Sequence, residues 1–349
     1  MRKREITFLF ASIFLTGCRP RACVHYVPDK TPLGFAAQDI KNISELESWK
    51  GELRGKLREL LEAEEFGRRT RIPESVIVSS GSLPALAGEK TERLQIENVS
   101  VRSDLDGRMI PAFFVYEKGR APEDFKEIVV VLHGHGSGGE SYLALRPDLT
   151  DTILKAAAQG KVVFFPGIRS LGAFGIGKSH WRYHWFKKDG EFLREVLSDA
   201  SCALRFLKHR FAQTARTTLV GHSLGGYVAL HWAALDSGID RALVSGSFVP
   251  YACFNSGMHD GCQRFKSIEA FAELTDVAGL IAPRPLLIHY GERDGHYSPA
   301  VDEAAERTRG IFFAAGAPEK FRFVLTPGAG HVLDPDLVSD FVAGEPEEL

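Results

Sequence analysis

The chain has 349 residues, 44% apolar and 25% charged, a balance that excludes a disordered or fibrous protein and leaves ample length for a buried core. Its formal charge is −2, with Lys and Arg interspersed among Asp and Glu. That distribution excludes the basic field that draws nucleic acid.

In chain order, MRKRE supplies cations and ITFLFASIFL an apolar run of about ten residues, shorter than the roughly 20 that a spanning helix needs. Residues 1–17 therefore read as a secretion signal outside the fold. The tetrad LTGC, Leu15 to Cys18, resembles the lipobox of bacterial lipoproteins, in which the cysteine is acylated and becomes the mature N-terminus. By that resemblance Cys18 carries lipid, and the exported protein is held on a membrane facing the periplasm or cell exterior. A plain signal peptide cleaved elsewhere, or a buried strand after a mischosen start, are the alternative readings. Residues 18–42 carry Pro20, Pro28, Pro32 and Gly34 without periodicity, which predicts a tether. Next, Ile43, Leu46, Trp49, Leu53, Leu57, Leu60 and Leu61 recur at helical spacing. They predict an amphipathic helix within an N-terminal helical extension, residues 43–90.

From 91 to 345 short apolar runs alternate with longer helical ones. LQIENVSV and MIPAFFVYE predict an antiparallel pair; EIVVVLHG, KVVFFPG, TTLVG, RALVSG, PLLIHYG and FRFVLTPG predict buried strands. The helical patterns between most of them give the fold class α/β, a mostly parallel central sheet of about eight strands with helices on both faces. Ligands of such sheets lie beyond the carboxyl ends of the strands.

In TTLVGHSLGGYVALHWAAL one serine stands between glycines, just after a β-favouring run and just before a helical one. A Cβ at Gly221 or Gly225 would collide across so sharp a turn, so the spacing predicts a strained Ser223 presented for attack. Its hydroxyl needs a base, and His331 follows the strand FRFVL in TPGAGHVLDP. The base needs an acid to set its tautomer. Asp294 fits, beyond the strand PLLIHY, with Glu292 as a rival. For the oxyanion the expected donors are the amides of Leu224 and of His135 in LHGHGSGG, with Gly136 second. Each residue also has a plain reading as a turn or surface residue, but all fall in chain order just past predicted strands.

GHSLGGYVALHWAALD, IAPRPLLIHYGERD and GAGH resemble the alpha/beta-hydrolases grouped with acetyl xylan esterases and dienelactone hydrolases, a bacterial subgroup. The resemblance covers most of the chain, including ESWKGELRGKLREL before the domain. It implies an alpha/beta-hydrolase fold and cleavage of carboxylic esters, including acetyl groups on carbohydrate, by Ser223, Asp294 and His331 without a cofactor. The chain departs from it at GIRSLG, Gly167 to Gly172, where relatives often carry an acidic residue and an RG pair. A serine peptidase of prolyl oligopeptidase type and a noncatalytic binding protein of this fold are the competing readings. Fewer than 100 residues precede the domain, too few for the peptidase's usual propeller.

The aromatics Trp181, Trp185, Phe248 and Tyr251 are candidates to line the cleft, against a plain role in packing. His180 and His184 lack a third ligand or a HExxH pattern, so no metal is expected. Cys202 sits in a helical pattern and reads as a core residue; Cys253 and Cys262 could pair in an oxidising compartment or stay free. If Cys18 is the anchor, Cys18→Ser moves the protein from the membrane to the soluble fraction. An unchanged distribution on fractionation contradicts the anchor.

Overall fold

The computed structural model describes residues 31–36, 40, 42–63, 71–80, 92–136, 143, 145–171, 189–211, 215–253 and 261–344. The first helix, α1 (Ile43–Leu60), starts where the Asn42 side chain accepts the Glu45 amide at 3.1 Å, an N-cap that satisfies a backbone donor the helix cannot. Strands β1 (Ser75–Ser80), β2 (Leu94–Arg102), β3 (Met109–Glu117) and β4 (Glu127–Leu132) follow. The chain then runs through α2 (Pro147–Ala158), β5 (Val162–Pro166), α3 (Glu191–Arg210), β6 (Arg216–His222), α4 (Leu224–Leu235) and β7 (Arg241–Ser245). It ends with α5 (Leu274–Gly279), β8 (Leu286–Gly291), α6 (Pro299–Ala314), β9 (Phe321–Thr326) and α7 (Pro335–Ala343). Among the described residues no helix is long and apolar enough to cross a membrane.

The strands form one nine-stranded sheet in the order β1-β2-β3-β5-β4-β6-β7-β8-β9. β1, β2, β3 and β5 pair antiparallel in sequence, while β5, β4, β6, β7, β8 and β9 run parallel. The expectation was about eight strands. The further one is β1, which lies inside the stretch assigned to the helical extension, where the helix covers Ile43–Leu60 only. At six residues on the sheet edge, SVIVSS is too short for its period to stand out.

Burial of both faces follows from strand periodicity. Along β4, Ile128, Val130 and Leu132 enter one core with α1, α3, α4, α5 and α6. Val129 and Val131 enter the other, with α2 and α7. Because β5 and β6 flank β4 on opposite sides, the chain reverses its direction of winding there and opens a crevice at the strands' carboxyl ends.

α1 is attached through cations as well as leucines. Lys50 Nζ donates to the Ala282 carbonyl at 2.6 Å, Arg54 Nη2 to Leu280 at 2.6 Å and Nε to Ala234 at 3.2 Å, and Arg58 Nη2 to Leu235 at 3.1 Å. Arg284, in the APRPLLI segment, adds a bond to the Ala233 carbonyl at 2.6 Å. The carbonyls of Ala233, Ala234 and Leu235 are orphan acceptors at the C-terminus of α4, where the helix dipole also favours positive charge, and those of Leu280 and Ala282 follow the end of α5.

At the amino edge of the sheet Glu127 and Arg241, both 1% exposed, form an ion pair across β4 and β7, with Thr218 of β6 hydrogen-bonded to each. Arg241 also donates to the carbonyls of Phe341, Val342 and Gly344, closing the end of α7. Removing one partner strands a buried charge, so Glu127→Gln is expected to cost about 3–5 kcal/mol. A urea midpoint within error of wild type would contradict that.

Candidate active site

Strand β6 leads directly into α4 through Ser223, whose backbone lies at φ 56°, ψ −125°, a left-handed conformation that a side chain other than glycine's rarely adopts. Two close approaches enforce it. A Cβ on Gly221 would stand 2.2 Å from the Gly225 carbonyl oxygen, and one on Gly225 would stand 2.2 Å from the Leu132 oxygen and 2.7 Å from that of His133. The end of β4 is thus pressed against the first turn of α4. The first turn of α4, which begins at Leu224, abuts Leu132 and His133, the residues that lead into the loop of His135 and Gly136.

His133 holds that loop. Fully buried and stacked on Phe165 at 5.5 Å, it donates from Nδ1 to the Gly134 carbonyl at 2.8 Å and accepts the Ile168 amide on Nε2 at 3.4 Å. The pairing demands a neutral ring. Burial, only partly offset by the bond to Gly134, pulls its pKa down to about 4. The His135 ring points to Cys262, with Nε2 3.2 Å from Sγ.

His331 and Asp294 come together on the loops after β9 and β8. The His331 Nδ1 lies 2.8 Å from Asp294 Oδ2. The rival Glu292 instead accepts the Gly328 amide at 2.8 Å on the exposed side. Asp294 is 5% exposed; burial would raise its pKa, but bonds from His296 and His331 outweigh it and hold the carboxyl well below the usual range. The site is therefore a carboxylate with an imidazole fixed on it. His331 and Ser223 converge on one corner: the Ser223 amide donates to Ser245 O at 2.8 Å, and His331 Cε1 lies 2.8 Å from where a Gly246 Cβ would stand. The ring of His222, the residue before Ser223, packs on the His331 ring at 4.6 Å. Among the described residues the Ser223 hydroxyl makes no hydrogen bond.

Sequence reasoning missed what lies beneath. His222 and Ser245 are register partners, as are Ser245 and His289. Their side chains form a chain: His222 Nδ1 to Ser245 Oγ at 3.0 Å, Ser245 Oγ to His289 Nδ1 at 2.9 Å, His289 Nε2 to Thr326 Oγ1 at 3.0 Å, and Thr326 Oγ1 to Asp334 Oδ2 at 2.8 Å. An ionised carboxylate only accepts, so direction propagates from Asp334. Thr326 donates to it, His289 donates from Nε2 to Thr326, Ser245 donates to His289, and His222 donates from Nδ1 to Ser245. His222 Nε2 is left as a bare, buried acceptor beside the candidate base. The available signal was a polar residue late in each of four adjacent parallel strands.

His296, also missed, sits two residues beyond Asp294 with its Nδ1 3.3 Å from both Asp294 Oδ1 and His331 Nδ1. The GIRSLG departure is occupied structurally. Arg169, 6% exposed, grips Asp199 at 2.8 and 2.9 Å and Asp106 at 2.5 Å, tying the loop after β5 to α3 and the β2–β3 turn.

Two expectations are corrected. Phe248 and Tyr251 do not line the cleft: both are fully buried, the Phe248 amide donating to the Tyr290 hydroxyl and the Tyr251 hydroxyl bonded to His231 Nε2. Cys253 and Cys262 are not partners, because Cys253 is disulfide-bonded while Cys262 is a free thiol against His135. Cys202 is a buried free thiol, as its helical position implied. Trp181, Trp185 and Cys18 lie outside the described residues.

Residues 129–274 match the model of the Alpha/beta hydrolase family. No curated protein matches the sequence. Among solved structures, a glucuronoyl esterase from Solibacter usitatus aligns with a TM-score of 0.64 at 14% identity, covering 93% of this chain and 100% of its own. An acetyl xylan esterase from Paenibacillus sp. R4 aligns at 0.56 and 17% identity over 88% and 97% of the two chains. A methylesterase aligns at 0.60 and 13% identity over 87% of this chain, which spans 64% of the methylesterase's length. At these identities the likeness is one of fold.

The buried histidines predict an acid limb in stability. Like His133, His231 on α4 is fully buried, with burial outweighing its bond to the Tyr227 carbonyl and bringing its pKa down to about 4. Unfolded, both titrate near ~6.5, so the unfolded chain takes up more protons between about pH 4 and ~6.5. Their contribution is full above that window and declines as pH falls through it, by roughly 3 kcal/mol for each ring. Urea midpoints should drop from neutral pH toward pH ~5. The slope should be shallower in His231→Gln; a wild-type midpoint independent of pH would contradict the assignment.

Proposed function

We propose that this chain, which has the alpha/beta-hydrolase fold, hydrolyses carboxylic esters through an acyl-enzyme on Ser223. The observation that carries the reading is the 2.8 Å bond between His331 and a buried, ionised Asp294, set at the same strand edge as a serine on a strained turn. In the scheme Ser223 Oγ attacks the ester carbonyl as its proton passes to His331 Nε2. A C–O bond to serine forms, and the oxyanion is held by the amides of Leu224 and His135. His331 returns the proton to the leaving alcohol as the ester C–O bond breaks. Water, deprotonated by the same nitrogen, then releases the acid. Asp294 stays ionised throughout, holding the proton on Nδ1 and balancing the imidazolium.

The names of the structural neighbours, a glucuronoyl esterase and an acetyl xylan esterase among them, support an ester of carbohydrate as substrate, and the resemblance at GHSLGG and APRPLLI supports an acetyl group. The N-terminal signal and LTGC support an exported, lipid-anchored enzyme facing the periplasm or the cell exterior.

Hydrolysis of p-nitrophenyl acetate and of acetylated sugars tests the reaction. Ser223→Ala, His331→Ala and Asp294→Asn should each lower kcat by at least ~10³-fold while circular dichroism stays native. Cleavage of chromogenic peptides without esterase activity would instead favour the peptidase reading. A folded protein with neither activity would favour a binding role.

A further inference from the structure

We infer that His296 gives this active site a second state, in which a divalent cation of the zinc type binds Asp294, His296 and His331 and switches the base off. The inference rests on the esterase reading for its consequence but not for the binding itself. One ligand atom from each of the three residues lies within 4.8 Å of the other two. The two Nδ1 atoms are 3.3 Å apart, and they face the two oxygens of one carboxylate at 2.8 and 3.3 Å. Tetrahedral zinc with metal–nitrogen bonds of about 2.0–2.1 Å requires its nitrogens roughly 3.3 Å from each other. The spacing of the two nitrogens matches that requirement, and the carboxylate, one ligand atom of which lies within 4.8 Å of both, would have to shift to share one centre with them.

Asp294 Oδ1 accepts the His296 backbone amide at 2.9 Å, which fixes the backbone from which the ring reaches the carboxylate. On a metal the Nδ1 atoms of both rings would present lone pairs to one centre. The donor set of two imidazoles and one carboxylate suits zinc, and the side chains of His296 and His331 are 16% and 30% exposed, leaving an open side for entry and for a fourth ligand from water. Magnesium, which prefers oxygen ligands and six of them, does not suit it.

The chemical consequence follows from the tautomer. In the working site the proton of neutral His331 sits on Nδ1 and the lone pair on Nε2 is the base. A cation on Nδ1 takes that position, and the proton moves to Nε2. No proton need be released, but Ser223 now faces a donor rather than an acceptor. The Asp294–His331 bond is lost in the same step. Metal binding and ester hydrolysis are therefore mutually exclusive.

Calorimetric titration with zinc chloride, alone and without substrate, tests the site on wild type, Ser223→Ala and His296→Asn. Wild type and Ser223→Ala should bind one zinc alike, and His296→Asn should bind at least ~10-fold more weakly. With p-nitrophenyl acetate, zinc should inhibit wild type reversibly, relieved by EDTA, and magnesium should not. Inhibition of His296→Asn, measured against its own metal-free rate, should require at least ~10-fold more zinc. Equal zinc affinity in wild type and His296→Asn, or no binding to wild type, overturns the inference. If zinc binds as stated but wild type hydrolyses no ester, the reading of the reaction fails while the metal site stands.

Discussion

The architecture turns on one steric constraint, the place where three backbone segments meet with no room for a methyl group. Gly221 at the end of β6, Gly225 in the first turn of α4 and the Leu132 carbonyl at the end of β4 approach so closely that an added Cβ would lie 2.2 Å from a carbonyl oxygen at either glycine. This contact forces Ser223 into φ 56° and lifts its side chain out of the sheet edge. It also sets the first turn of α4 against Leu132 and His133, which lead into the loop bearing His135. The strain must be held from elsewhere. One anchor is the far end of α4, whose last carbonyls are bound by Arg54, Arg58 and Arg284. The N-terminal helix therefore braces the helix that follows Ser223 as well as covering the core.

Beneath the site, electrostatics takes over from sterics. A single carboxylate, Asp334, which also caps α7 by accepting the Asp336 and Leu337 amides, orients four further side chains across four parallel strands. Direction passes through Thr326, His289 and Ser245 to His222, where a neutral ring lies against His331. Burial lowers the pKa of both His222 and His289, so the rings that continue the chain from Asp334 are polar without being charged. A neutral, oriented ring imposes no like-charge repulsion on His331, the imidazole that becomes cationic in the proposed mechanism.

How much of this was legible depended on whether the cause was local. Ser223, the glycines around it, His331 and Asp294 could be read because each follows a strand whose apolar run is visible and each belongs to a local turn motif. The parallel sheet was legible for the same reason. Strand β1 was not, since six residues on an edge carry too little periodicity. Phe248 and Tyr251 read equally well as cleft or core, because aromatic composition says nothing of which side of a loop faces solvent; both are core. The separation of Cys253 and Cys262 was likewise beyond reach, as pairing depends on Cα and Cβ geometry rather than on sequence spacing. His296 and the chain from Asp334 to His222 escaped because their meaning arises only from cross-strand register and from loops folded over one another. A polar residue late in each of four adjacent parallel strands was the trace they left.

The central claim is that Ser223 is a nucleophile activated by His331. Incubating the purified protein with a fluorophosphonate and locating the adduct by peptide mass mapping tests it most directly. The account predicts one adduct, on Ser223, that His331→Ala forms far more slowly. A folded protein left unmodified, or labelled at another residue while Ser223 stays free, would contradict it.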